Sequence, residues 1–142
     1  MQILGISHLG IASKDPSRTK WFFRDVLQLP FVGDELVESQ KTHTTMFDTS
    51  MTASSGKSRL EILENQEGED GPIKGFILKR GGGIHHLALQ VACIKTAISK
   101  MKEMKVEMID NEPRPGAHNT QIAFVHPRAT GGVLIELVEE HT

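Results

Sequence analysis

Several scarcities narrow what this chain can be. Cys93 is the one cysteine among 142 residues. That is too few for a disulfide framework and suits a reducing compartment, so a cytoplasmic location is expected. No apolar run approaches the roughly 20 residues that span a bilayer, and no membrane partner is expected. The first residues, Met1-Gln2-Ile3-Leu4-Gly5-Ile6, lack a basic stretch and a long apolar one, so they are not expected to be a secretory signal. A net charge of −2 gives no general reason to bind nucleic acid. The length suits one compact domain, or two small modules across a shared core. With 38% apolar and 24% charged residues the composition is that of an ordinary soluble protein, which leaves a small-molecule role as the default.

What the chain does have is repetition. Gly5-Ile6-Ser7-His8-Leu9-Gly10-Ile11-Ala12 recurs as Gly83-Ile84-His85-His86-Leu87-Ala88-Leu89-Gln90. Arg59-Leu60-Glu61-Ile62-Leu63-Glu64 recurs as Leu134-Ile135-Glu136-Leu137-Val138-Glu139. A repeat is one structural unit used again. Here each copy places a histidine early and a glutamate late.

Alternation over 3–12 predicts a strand with His8 on the face of Ile6, Gly10 and Ala12. Asp15-Pro16 is a helix start, and Trp21, Phe22, Val26 and Leu27 at helical spacing carry the helix to about Leu27. Strands are expected near 31–38, 42–48 and 58–64. Gln66 to Gly71 reads as a loop and Pro72 to Lys79 as a short helix, broken by Gly81-Gly82-Gly83. The second copy predicts a strand over 83–91 and a helix over 93–104 with Ile94, Ala97, Ile98 and Met101 as its apolar stripe. Strands near 105–110, 120–125 and 132–139 complete it. The expected organisation is a single domain over 1–142: module one about 1–66, a linker and short helix over 67–82, and module two about 83–142. Each module is βαβββ, and pairing two of them buries what each leaves open. The fold class expected is α+β, with a cupped, mostly antiparallel sheet.

Four side chains stand out. Alternation sets Glu61 on the face opposite Leu60 and Ile62, and Glu136 on the face opposite Ile135 and Leu137. A carboxylate within such an apolar run is costly to bury unless charged neighbours or a metal compensate. His8 and His86 hold equivalent faces by the repeat register. Two imidazoles and two carboxylates suit one divalent ion such as Co, Zn, Ni, Fe or Mn. A lone histidine on a strand is more often structural, and a lone glutamate more often solvated; the joint pattern in both copies argues otherwise. His85 is expected on the helix side. His43, His118, His126 and His141 fall outside the repeat register, where surface or loop roles are the simple reading.

The module pattern and the His8, Glu61, His86, Glu136 order resemble the vicinal-oxygen-chelate superfamily. That group includes glyoxalase I, methylmalonyl-CoA epimerase, extradiol dioxygenases and antibiotic-resistance proteins. The second half is most similar to the epimerases, through Gly83-Ile84-His85-His86, the stretch Asp110 to His118, Ala123-Phe124-Val125-His126-Pro127 and Thr130 to Leu137. Gly71-Pro72-Ile73-Lys74-Gly75-Phe76 is similar to an interdomain segment of the same enzymes. The resemblance implies metal ligation by His8, Glu61, His86 and Glu136. Some epimerases have Gln at the position of Glu61, whereas glyoxalase I has Glu, so the ligand set alone does not separate the two. Where some epimerases carry a carboxylate on the third strand of the first half, this chain has Thr44, with Glu38 and Asp48 nearby in sequence.

The implied function is metal-dependent epimerisation of methylmalonyl-CoA through an enolate, with Glu136 as one acid/base. His43 is a candidate for the second, beside Glu38 and a metal-bound water. Arg114, His118 and Lys57 are candidates for contact with CoA phosphates. The alternatives are a glyoxalase-I-like lactoylglutathione lyase and a metal-free binding protein of the same fold. An acyl-CoA is the expected small-molecule partner, and a homodimer the expected assembly, because paired modules leave sheet edges to cover.

Overall fold

The computed structural model describes residues 1–49 and 58–140. The chain divides into two compact units, one of His8–His85 and one of Met1–Ser7 with His86–Thr142. Strand β1 (Ile3–Ala12) gives its first residues to the second unit and the rest to the first.

The unit His8–His85 runs β1, α1 (Pro16–Trp21), β2 (Phe31–Val37), β3 (Thr42–Asp48), β4 (Arg59–Asn65) and α2 (Pro72–Arg80). Its strands lie in the order β2-β3-β4-β1. The β2–β3 and β3–β4 pairings are antiparallel, and β4–β1 is parallel. Asp15 caps α1 by accepting from the Arg18 backbone N–H at 3.1 Å, and Pro16 opens the helix where its missing N–H costs nothing. The helix loosens into a π turn over Phe22–Val26, then stops at Gln28 in the left-handed region ahead of Leu29-Pro30.

Each sheet face in this unit has its own cover. Phe23 meets Phe47 edge-on at 6.0 Å, and Lys20 reaches Glu64 at 2.6 Å, so the turn and α1 cover the face of Phe47, Ile62 and Glu64. Helix α2 packs Ile73, Phe76 and Ile77 on Ala12 and Leu63, at one end of the opposite face. Gly81 closes α2 at φ +76, its N–H on the Ile77 carbonyl. A Cβ on Gly82, at φ +105, would stand 2.9 Å from the Ala12 oxygen, so only glycine fits.

The second unit holds the start of β1, most of β5 (Gly83–Val91), α3 (Ile94–Glu103), β6 (Arg114–Pro115), β7 (Gln121–Val125) and β8 (Ile135–Glu139). The strand order is β1-β5-β8-β7-β6, with β5–β8 parallel and β8–β7 and β7–β6 antiparallel. Each unit thus joins one parallel pairing to two antiparallel ones, the paired βαβββ pattern of a mainly antiparallel α+β fold. The stripe of α3 (Ile94, Ala97, Ile98) packs on Val91, Ala123, Val125 and Leu137. Glu139 caps this helix from outside, accepting from the Ile94 N–H at 2.9 Å.

One expected element is nearly missing. In place of a strand over 105–110 there is a single bridge, Met108 to Val125, and only two residues pair in β6. Lys105 takes φ +60, and Pro113 and Pro115 have no N–H to give a ladder. The Asp110 carboxylate accepts from the Phe124 N–H at 2.9 Å, where a strand would offer a carbonyl. The last strand also starts late, because Gly131 and Gly132 both have positive φ.

Candidate metal centre

In the unit His8–His85, parallel pairing puts Glu61 directly across from Gly10, two residues past His8. The His8 Nδ1 then lies 3.2 Å from Glu61 Oε2. In the other unit Glu136 is directly across from Ala88, two residues past His86, and His86 Nε2 lies 3.5 Å from Glu136 Oε1. The repeat therefore persists as strand register. All four side chains are buried: His8 is 8% exposed, Glu61 6%, His86 5% and Glu136 3%.

The surroundings of each pair are apolar. Met46, with no exposure, stands across from Glu61. Phe124 stands across from Glu136 and meets the His86 ring edge-on at 5.7 Å. Ala88, Ile122 and Val138 complete a cluster on this face. Carboxylates at such depth carry a desolvation cost that an imidazole alone offsets only when protonated. A divalent cation offsets it with the imidazoles neutral, and these nitrogen and oxygen donors are the kinds that bind one. The residues present fit a metal.

The other sequence candidates are placed as follows. His43 is not brought to the His8–Glu61 face. It pairs across β3–β4 with Glu64, so alternation turns it to the α1 side, where its Nδ1 is 3.5 Å from Glu64 Oε2 and its Nε2 3.6 Å from Asp34 Oδ1. Glu38 is exposed in a 3-10 turn after β2. His85 meets the Phe76 ring of α2 edge-on at 4.9 Å. His118 is exposed, at φ +55, and His126 lies 3.9 Å from Glu107. Lys57 and His141 lie outside the described residues.

Two arrangements near the pairs went unread in the sequence. Arg114 Nε is 3.2 Å from Asp110 Oδ1, and the guanidinium lies 5.4 Å from the Phe124 ring centre, which keeps the candidate CoA contact on the Glu136 face. In the unit His8–His85, Asp48 stands directly across from Arg59, with Arg59 Nε 3.5 Å from Asp48 Oδ1. The alternation Thr44, Met46, Asp48 was the available signal, but it points to Glu61 only once the β3–β4 register is known.

A family model described as the Glyoxalase/Bleomycin resistance protein/Dioxygenase superfamily matches residues 7–124. The chain belongs to that superfamily. It is 36% identical over 134 residues to an uncharacterized protein of Bacillus subtilis, covering 94% of this chain and 91% of that one. It is 32% identical over 133 residues to the mitochondrial methylmalonyl-CoA epimerase of Bos taurus, covering 93% and 72%. Among solved structures, a methylmalonyl-CoA epimerase in complex with methylmalonyl-CoA and NH4+ matches with a TM-score of 0.90 at 30% identity, over 99% of this chain and 97% of that one. The superfamily's glyoxalase-like fold is the one described above. Among the described residues, no helix is long and apolar enough to cross a membrane.

Proposed function

We propose that this superfamily member is a metal-dependent epimerase that interconverts (R)- and (S)-methylmalonyl-CoA by moving the proton at C2. The observation that carries the reading is the repeated register, a buried histidine two residues before the position facing a buried glutamate, in both units. Relatives named for this activity add support, one of them solved with methylmalonyl-CoA.

His8, Glu61, His86 and Glu136 would together hold one divalent ion, of the Co, Zn, Ni or Mn kind. His8, His86 and Glu136 each offer one ligand atom, and all are buried. Once bound, the ion supplies positive charge where the thioester oxygen gains electron density. The remaining work falls to the chain. Glu136 takes or returns the C2 proton, since a carboxylate held beside the reacting carbon needs only a short transfer. Phe124, Ile122 and Val138 border Glu136 with apolar surface, which keeps water from the carbon while it lacks its proton. Arg114, steadied by Asp110 and the Phe124 ring, is suited to an anionic group of the acyl-CoA.

We also infer a homodimer. Trp21, Phe22, Val26, Leu27 and Phe31 of one unit are 40% to 53% exposed, and apolar surface of this kind is commonly covered by a second copy.

The test follows solvent deuterium into C2 of added methylmalonyl-CoA by mass spectrometry. Metal-replete protein exchanges the proton, EDTA stops it, and Glu136→Gln abolishes it even where metal is retained. No exchange by metal-replete protein rejects the epimerase. Thioester formation from methylglyoxal and glutathione would point instead to a lactoylglutathione lyase. Metal far below one ion per chain in protein that still binds an acyl-CoA would point to a binding protein.

A further inference from the structure

In the unit His8–His85, β1 and β4 lie parallel and end side by side, with Ala12 across from Leu63. Their helices then part. Helix α1, after β1, covers the face of Ile62 and Glu64, whereas α2, after β4, packs on Ala12 and Leu63 of the opposite face. Where connections leave neighbouring parallel strands for opposite faces, a crevice opens beyond the carboxyl ends, and open α/β sheets take their ligands there. This unit has such a crevice. A cavity of about 420 Å³ lies against Ile11, Lys14, Arg18 and the glycines Gly81 to Gly83, all within the unit. A second, of about 320 Å³, lies against Leu63, Ile73 and Ile77, and Ser13 and Lys14 line both.

Several donors of this crevice have nothing to donate to. Lys14 makes no ion pair among the described residues. Its side chain lies across Gly81, where an added Cβ would stand 3.1 Å from Lys14 Cε and 3.4 Å from Nζ. Arg18 stacks its guanidinium on the Trp21 ring at 4.1 Å and has no carboxylate partner among the described residues. Ser13 Oγ accepts from Thr19 Oγ1 at 2.7 Å and from the Asp15 N–H at 3.1 Å, which leaves its own proton to give. The Gly82 N–H, outside any helix or strand, donates to nothing among the described residues. The carboxylates on the walls are engaged, Asp15 by the Arg18 N–H and Glu64 by Lys20 at 2.6 Å. Lys74 is paired with Asp70 at 3.0 Å, so Lys14 and Arg18 carry the unmatched charge.

We propose that this crevice binds the phosphate group of a small organic phosphate, with Lys14 and Arg18 as its cations and Ser13 and Gly82 as neutral donors. Four donors call for more acceptor oxygens than the two of a carboxylate, and a phosphate monoester presents three. Ile11, Leu63, Ile73 and Ile77 give apolar wall to the body of such a molecule. Neither His8 nor Glu61 lines the crevice, and phosphate binding here stands whether or not the protein is an epimerase. An acyl-CoA and a free phosphate ester both carry this group, and the test separates them.

The experiment follows the backbone amides of isotope-labelled protein by NMR during titration with inorganic phosphate, adenosine monophosphate and CoA. Phosphate and adenosine monophosphate give saturable shifts centred on Ser13, Lys14, Thr19 and Gly82. Lys14→Gln with Arg18→Gln weakens both by about tenfold or more. Lys100→Gln with Lys102→Gln, on α3, stays within about twofold of wild type. CoA that moves the same amides and displaces phosphate identifies an acyl-CoA as the source; CoA that leaves them unmoved identifies a separate phosphate ester. Shifts spread equally over the lysines of α3, unchanged affinity in the Lys14 and Arg18 double variant, or acetate binding as tightly as phosphate overturns the proposal. Should losing the Trp21 stack unfold α1, Lys14→Gln alone still weakens phosphate severalfold, and wild-type affinity in that variant overturns the site.

Discussion

His8 Nδ1 lies 3.2 Å from Glu61 Oε2 across a parallel strand pair, and both residues are less than a tenth exposed. His86 and Glu136 repeat that relationship in the other unit. Buried charge of this sort is stabilised by a cation, so metal should raise stability. A ligand at a thousand times its Kd adds about 4 kcal/mol to folding. Thermal melting with and without Co or Zn should show a rise of several degrees, and His8→Gln or His86→Gln should shrink it. Equal melting with and without metal in wild type would contradict the assignment.

The face that His43 occupies leads to a second expectation. It is half-exposed beside Glu64 and Asp34, and ion pairs of that exposure contribute roughly 0–1 kcal/mol. His43→Gln should leave the C2 exchange rate within about threefold of wild type and stability within about 1 kcal/mol. A loss approaching that of general acid–base removal, about 10² or more, would bring His43 back into the reaction.

The core beneath α3 can be tested independently of function. Leu137 is 2% exposed and belongs to the cluster with Ala97, Ile98 and Val125. Leu137→Ala should cost about 2–5 kcal/mol, read as a lowered urea midpoint with little change in slope. A loss below about 1 kcal/mol would mean the site repacks.

An exposed pair sets one feature of the acid limb. The hydrogen bond from Arg128 holds the Glu107 carboxyl below its ordinary value of 4.5; desolvation opposes this, and the charges of Arg128 and His126 add to it. A lowered folded value means the contribution is present above the unfolded value and fades as pH falls through the folded one. Glu107→Gln should therefore converge with wild type in stability well below pH 4.5 and differ from it, slightly, above. A gap that widens toward low pH would reverse the sign and refute the linkage.

The pairing of His8 with Glu61, and of His86 with Glu136, was legible because duplication repeats a register, and register repeats as spacing in sequence. The strands around Glu61 and Glu136 were legible for the same reason. The strand expected over 105–110 was not, since Val106 and Met108 alternate like a strand while Lys105, Pro113 and Pro115 deny it a ladder. Asp48 and Arg59 meet across β3 and β4. That neighbour relation depends on which residues pair, and the intervening segment of chain hides the offset. The Asp110 contact with Phe124 is likewise set by folding, and nothing in its local sequence announces it.

The most direct test is anomalous diffraction from crystals grown with cobalt. The account predicts a single peak per chain, with donor atoms of His8, Glu61, His86 and Glu136 at about 2.0–2.2 Å from it. No peak at these residues, or separate peaks at the two His–Glu pairs, would contradict it.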